Sequence, residues 1–290
     1  MVREFIVASP SDLPPIHRPP DPVSQPNPRV TIGLPVFNGE NYLAEAIDSI
    51  LSQTFRDFEL VVTDNASTDG TESIVRGYAD RDSRVRYHRN ESNIGPYDNF
   101  ELAVDLARGE YFKWAAHDDL LAPEFLEKCV EAMDADPGIV LCQSLVRIID
   151  EEGREMAIYD SGLSGAASPQ RSRRFAALTL VPHVCTEMFG LCRPEALRAT
   201  LMFSTRYHGC DRAMLAELSL VGRFAQLPEP LFMNREHSQR YVRAVSPKDR
   251  SAYADAHRNR TVELSSWHLY TDYLRSVRRH GESLSERLRC

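Results

Sequence analysis

The sequence predicts an α/β protein with a mainly parallel sheet flanked by helices. Three observations carry that expectation. Short apolar runs of strand length alternate with segments of helical period through the first half of the chain. Those runs are apolar almost throughout, as in strands covered on both faces. Three of them end in polar loops, at the edge where open parallel sheets bind their ligands.

Residues 1–28 contain eight prolines. Proline fixes φ and lacks an N–H, so this stretch is expected to be an extended, disordered arm. Order is expected from Arg29. Val30–Val36 reads as a buried strand that ends at a Pro-x-Phe-Asn-Gly turn. Tyr42, Leu43, Ala46, Ile47, Ile50 and Leu51 then fall on one face of a helix. Phe58–Thr63 is a second strand, running into a loop, Asp64 to Thr71, full of turn-forming and helix-capping residues. A helix over Thr71–Tyr78 and a short strand over Val85–His88 follow. Asn99–Arg108 is a helix with Gly109 as its C-terminal stop. Tyr111–Ala115 is a strand leading to His117-Asp118-Asp119, and Pro123 marks the next helix start.

The second half is less regular. Ile139–Ile149 reads as one or two strands, and residues 160–170, rich in Gly, Ser and Ala, as a mobile loop. Asp211–Leu220 suits a helix, with Asp211 a candidate for its N-cap. Gly222–Gln226 and Pro230–Asn234 suit two short strands. From Ser246 to about His280 the pattern is helical, with Ser246-Pro247 as the start signal.

The chain has 290 residues, 42% hydrophobic and 26% charged, which fits a globular core and excludes a wholly disordered protein. Its net charge of −8 argues against non-specific nucleic-acid binding, which needs a dense cationic surface. No apolar run approaches the ~20 residues that span a bilayer, and no secretory signal is expected at the start. The six cysteines lack a C-x-x-C pair, so buried thiols in a reducing cytoplasm are expected rather than a zinc site or disulfides. Residues 235–290 carry 12 Lys/Arg against 7 Asp/Glu, a net +5 that leaves −13 for the remainder. A basic tail on an acidic body suits an anionic surface or partner, and equally a solvated helix face.

The three polar loops hold the chemistry. They contribute Phe37, Asn38 and Glu40; Asp64, Asn65 and Asp69; and Asp118 and Asp119. No G-x-G-x-x-G follows the first strand and no G-x-x-x-x-G-K-[ST] occurs, which weighs against a dinucleotide or P-loop site. Carboxylates stand where those folds place glycine. An oxygen-rich cleft suits a hard cation, Mn²⁺ or Mg²⁺, bridging carboxylates and a ligand's phosphates.

The run from Val30-Thr31-Ile32-Gly33-Leu34-Pro35 through Asp64-Asn65-Ala66-Ser67-Thr68-Asp69-Gly70-Thr71 resembles the opening of glycosyltransferase family 2. So does Asn93-Ile94-Gly95-Pro96-Tyr97-Asp98-Asn99-Phe100, followed by Arg108-Gly109-Glu110-Tyr111 and His117-Asp118-Asp119. The resemblance covers roughly residues 29–237 and rests on several ordered motifs. It implies the GT-A fold, a Rossmann-like sheet. It also implies sugar transfer from a nucleoside diphosphate donor, with a divalent metal and inversion at the anomeric carbon. The chain would then divide into the arm at 1–28, a GT-A domain at 29–237 and a basic helical extension at 238–290.

The resemblance also implies roles for single residues. Pro35, Phe37, Asn38 and Glu40 line the nucleotide pocket, with Phe37 stacking on the base. Asp64 and Asn65 meet the base edge, where an amide oxygen can accept from a pyrimidine N3–H. Asn93, Gly95 and Asn99 close over nucleotide and sugar. His117-Asp118-Asp119 matches the metal motif, with Asp119 the direct ligand and Asp118 on the ribose or donor sugar. Asp211, in Gly209-Cys210-Asp211, matches the catalytic base, with Glu187 as a second place to look. In Arg235-Glu236-His237, Arg235 would pair with the diphosphate and His237 complete the metal shell.

The expected function is therefore transfer of a sugar to a hydroxyl of a glycan, lipid-linked or small-molecule acceptor. A stacking aromatic with acceptor groups for an imino N–H ranks UDP first as donor nucleotide, dTDP second and GDP third. The alternatives are a non-catalytic carbohydrate or nucleotide-sugar binder on the same fold, and a nucleotidyltransferase. The latter normally needs a Gly-rich basic loop that Pro35 to Glu40 does not supply. A cytoplasmic enzyme is expected. Its C-terminal helix, with Trp267 and Tyr270 at helical spacing, is read as packing, as a homodimer contact or as a peripheral contact with the inner face of the membrane.

Overall fold

The computed structural model describes residues 27–203, 206–240 and 265–281. The proline-rich arm up to residue 26, the start of the expected Ser246 helix and Cys290 lie outside the described residues. The elements are β1 (Val30–Val36), α1 (Leu43–Leu51), β2 (Phe58–Asp64), α2 (Thr71–Ala79), β3 (Val85–Arg89), α3 (Pro96–Asp105), β4 (Tyr111–Trp114), β5 (Leu120–Leu121) and α4 (Phe125–Ala135). They continue with β6 (Ile139–Ile149), β7 (Glu155–Tyr159), α5 (Arg171–Leu180), β8 (Leu191–Cys192), α6 (Pro194–Arg198), α7 (Cys210–Val221), β9 (Arg223–Arg235) and α8 (Ser265–His280).

One sheet runs in the order β3-β2-β1-β4-β8-β6-β9-β5, with β7 on β6. The first four strands are parallel to one another. The other half is mixed: β8 is antiparallel to β4 and β6, β9 is parallel to β6, and β5 is antiparallel to β9. Side chains alternate between two cores, as the period of two requires. Val30, Ile32, Leu34 and Val36 of β1 pack with Leu43 and Ile47 of α1, Val75 of α2 and Phe125 and Leu126 of α4. Phe112 and Trp114 of β4 face the opposite way, against Val104 of α3, Phe175 of α5 and Leu215 of α7. Gly33 lets α3 press onto β1; a Cβ there would stand 2.8 Å from that of Ala103.

Several expectations are refined. The third helix starts at Pro96, with Gly95 before it at φ 90°, and ends at Asp105, so Gly109 is not its stop. Gly109 instead sits where a Cβ would meet the Thr31 backbone nitrogen at 2.5 Å. The two short strands expected after Gly222 are one 13-residue strand, β9, whose pairing with β6 shifts register around Pro230. Residues 160–170 are not a free loop: Leu163 and Ala166 are buried and a short 3₁₀ turn spans Ser164–Ala167. Gly209, at φ 96°, holds the N-cap position of α7, and Asp211 lies in its first turn. Cys129, Cys142, Cys185, Cys192 and Cys210 are all free and buried, as expected of thiols without partners. Among the described residues no helix is long and apolar enough to cross a membrane.

Candidate active site

A cleft of about 700 Å³ opens at the carboxyl ends of β1, β2 and β4. Its wall gathers Pro35, Phe37, Asn38, Asn65, Asn93, Gly95, Asn99, Asp118, Asp119 and His237, residues spread over two hundred positions of sequence. Phe37 is 41% exposed, unusual for so large an apolar ring, and offers its face to the cleft.

The loop after β1 is locked to the loop after β2. Asn38, at φ 53°, receives the Thr68 N–H on its side-chain oxygen at 2.8 Å. Glu40 accepts from Gly70 N at 2.6 Å, and its own N–H bonds Asp69. Glu40 thus ties two loops together and is off the cleft wall. Asp64 is also off the wall and fully buried. Its carboxylate accepts from Ser67 N at 2.8 Å, Tyr87 OH at 2.6 Å and Arg89 Nη1 at 2.7 Å. Burial alone would raise the Asp64 carboxyl, but these bonds outweigh it and hold it below the ordinary range. Sequence reading missed Tyr87 and Arg89; the only signal was their place at the end of β3, next to β2.

An asparagine network builds the next stretch of wall. Asn65 Nδ2 donates to Asn93 Oδ1 at 2.9 Å and Gly95 O at 3.1 Å, while its Oδ1 accepts from Ile94 N and Asn90 Nδ2. Asn90 also donates to Asn99 Oδ1, and Asn99 Nδ2 donates to Thr63 O at 2.7 Å. The residues expected to act together are therefore one bonded unit, with Asn90 as its unforeseen hub.

The opposite wall is acidic. Antiparallel pairing of Leu120 with Met233 sets Asp119 beside the end of β9. Asp119 is 7% exposed and accepts from Asn234 Nδ2 at 3.0 Å and Arg235 N at 2.9 Å. Burial, and then the charge of Asp118, pushes its carboxyl well up. Asp118 takes a 2.8 Å hydrogen bond from His237 Nε2. Burial acts to raise Asp118 too, but that bond and the charges of His237 and His117 bring it below the ordinary range. His237 is 4% exposed, and its Nδ1 has no hydrogen-bond partner among the described residues.

These groups fit a divalent cation of the Mn²⁺ or Mg²⁺ kind. Asp119 is a buried carboxylate in no ion pair among the described residues, and His237 Nδ1 is a buried nitrogen with an unused lone pair or proton. No three His, Cys, Asp or Glu side chains form a closed cage among the described residues. A hard ion of this kind takes few protein ligands and completes its shell with water and phosphate oxygens.

Like Glu40 and Asp64, two further expected residues are off the cleft wall. Arg235 is 1% exposed and does not line the cleft. Its guanidinium donates to Asp118 O at 3.0 Å, Glu151 O at 2.8 Å and Glu45 Oε2 at 2.7 Å, and it stacks on Tyr42 at 4.6 Å. It braces the Asp118 loop from behind and, at 1% exposure, presents no surface to a diphosphate. Asp211 is half-buried in the first turn of α7 and is not among the residues that line the cleft. It lies beside Cys185, whose thiol is pushed up by burial and then by the Asp211 charge. Glu187 is fully buried and neither carboxylate oxygen has a partner among the described residues.

The mixed sheet, with an acidic pair and an exposed aromatic ring at its ligand edge, has a GT-A-like architecture. Residues 31–201 match the profile of Glycosyl transferase family 2, and the chain belongs to that family. The chain is similar to the uncharacterized glycosyltransferase RT0329 of Rickettsia typhi, 35% identical over 45% of this chain and 40% of that one. It is likewise similar to MJ1057 of Methanocaldococcus jannaschii, also an uncharacterized glycosyltransferase, 37% identical over 43% and 44% of the two chains. The match thus spans less than half the length of these relatives.

Among solved structures, S. aureus TarS 1–349 in complex with UDP-GlcNAc superposes with a TM-score of 0.59 at 19% identity, covering 90% of this chain and 78% of that one. The mannosyltransferase PcManGT from Pyrobaculum calidifontis, in complex with GDP-Man and Mn²⁺, gives 0.57 at 19% identity over 90% and 77%. At that identity the likeness establishes the fold.

Proposed function

We propose that the protein transfers a sugar, with inversion, from a nucleoside diphosphate donor to a hydroxyl of a glycan, lipid-linked or small-molecule acceptor. The observation that carries this reading is one cleft with Phe37 on one wall and Asp118, Asp119 and His237 on the other. An aromatic face suits a base, and an acidic pair with an unpartnered imidazole nitrogen suits a cation at the phosphates. UDP ranks first as donor nucleotide and dTDP second, with Phe37 as the stacking face for the base; the Asn65 amide is engaged within the wall and shapes the pocket beside it. The UDP-GlcNAc bound by TarS supports a uridine donor; the GDP-Man bound by PcManGT keeps GDP on the test panel.

Asp119, with Asp118 and His237 beside it, would hold Mn²⁺ or Mg²⁺, which when bound neutralises charge on a departing diphosphate. Phe37 holds the base, and the bonded Asn65, Asn93, Gly95 and Asn99 unit keeps the adjoining wall in place for ribose and sugar. Asp211 takes the proton of the acceptor hydroxyl as its oxygen bonds the anomeric carbon and the bond to the diphosphate breaks. The partners are thus a nucleotide sugar and a hydroxyl acceptor, with the basic C-terminal extension meeting either an anionic membrane face or a second copy of the chain.

A donor panel tests the reading: UDP-, dTDP- and GDP-sugars with Mn²⁺, scored by nucleotide release. Release should be fastest with a UDP-sugar. Tightest binding of an adenine nucleotide by calorimetry would refute the ranking.

A further inference from the structure

A diphosphate needs positive charge around it, and the wall of the cleft is short of it. With Arg235 spent on Asp118, Glu151 and Glu45, the expected diphosphate contact is gone. Lys113 is no substitute: it is wholly buried, off the cleft wall, and donates to the carbonyls of Trp114 and Phe189. Among the described residues, one Lys or Arg lines the cleft, and it is Arg240.

Arg240 is well delivered. Its backbone N–H bonds His237 O at 3.3 Å, so it sits one turn beyond the imidazole that meets Asp118. The neighbouring Gln239 accepts from Asn41 Nδ2 at 2.7 Å, which fastens this turn across the cleft to the loop after β1. Its charge is felt at Asp119, where it works against the effect of burial. Its Nη1 pairs with Glu236 on the same turn, and both side chains keep about a quarter of their surface exposed, 25% and 23%. A guanidinium has five N–H donors, so one carboxylate contact leaves capacity for a second, bidentate partner.

We propose that Arg240 is the residue that receives the donor's diphosphate, with Glu236 as the counter-ion that orients it beforehand. The inference rests on the nucleoside diphosphate reading above. It assigns to Arg240 the role that the motif order gave to Arg235, and leaves Arg235 as the brace of the Asp118 loop. Lys at this position would keep the charge but lose the planar fork.

The test is calorimetry on the full chain with Mn²⁺, using UDP, dTDP and GDP and then the nucleoside of whichever binds tightest. Arg240→Ala should weaken the diphosphate by about 10- to 100-fold, the range for losing a charge-assisted hydrogen bond or two, and leave the nucleoside unchanged. Arg240→Lys should recover part of the loss. Unweakened diphosphate binding by Arg240→Ala overturns the proposal, and so does an equal loss for diphosphate and nucleoside, which marks a general disturbance. If the wild-type chain binds none of the three diphosphates, the donor reading itself falls, an outcome distinct from either.

Discussion

Lys113→Met is a perturbation whose size can be worked from the structure. Lys113 sits in β4 with no exposed surface, its ammonium between the rings of Phe125 and Phe232 at 4.9 and 5.3 Å. Burial moves its pKa from 10.5 down to about 8. Below both values the charged amine must be carried into the core, and that difference corresponds to about 3 kcal/mol against the folded state. As pH rises through the folded value the native lysine loses its proton first. The unfolded chain then binds more protons, so stability rises with pH up to about 10.5. At pH 10 the penalty has fallen to about 1 kcal/mol. Methionine fills similar space and carries no proton. Urea unfolding of both proteins at pH 7 and pH 10 should therefore show wild type gaining about 2 kcal/mol relative to the variant over that interval. The comparison removes the alkaline titration of other groups, which both proteins share. A stability gap that stays constant between the two pH values would refute the reasoning. The result bears on the site as well, because the Lys113 ammonium holds the carbonyl of Phe189, a residue of the cleft wall.

Asp211→Asn should fold normally, bind metal and nucleotide near wild-type affinity, and lose about 10²–10⁴ in turnover; an unchanged rate would move the base elsewhere, Glu187 first. Asp119→Ala should abolish transfer and weaken metal-dependent nucleotide binding, and full wild-type activity in excess chelator would defeat the metal reading. The C-terminal helix can be followed by its own fluorescence. The chain has two tryptophans, Trp114 at 1% and Trp267 at 66% exposure, and Trp267 shares the outer face of α8 with exposed Tyr270 and Leu274. Anionic vesicles at low salt should shift its emission to the blue and neutral vesicles should not; no shift with either leaves a dimer contact as the better account, readable by light scattering.

The sequence by itself determined the parallel half of the fold and the chemistry of the cleft edge. Val30–Val36 and Phe58–Thr63 are apolar at most positions and buried at all of them because both faces are covered, and that pattern is local. The loops that follow them carry Phe37, Asn38 and Asn65 at motif spacing, so their place on the wall was legible without any tertiary contact. The same holds for Asn93 to Asn99 and for Asp118 and Asp119.

Tertiary structure decided what pairing across the sheet decides. β9 reads as two broken strands because Pro228 and Pro230 interrupt it, yet the long parallel partner β6 holds it as one. That pairing, with β5 alongside, sets Asn234 and Arg235 against Asp119 across more than a hundred residues of sequence. In sequence the motif order points to Arg235 for the phosphate and passes over Arg240. What separates them is burial: three acceptors and the Tyr42 ring enclose Arg235, while Arg240 stays on the open side of the cleft. Composition and spacing name the residue types a site can use, but which donors remain free depends on partners that only the folded chain brings within about 3 Å.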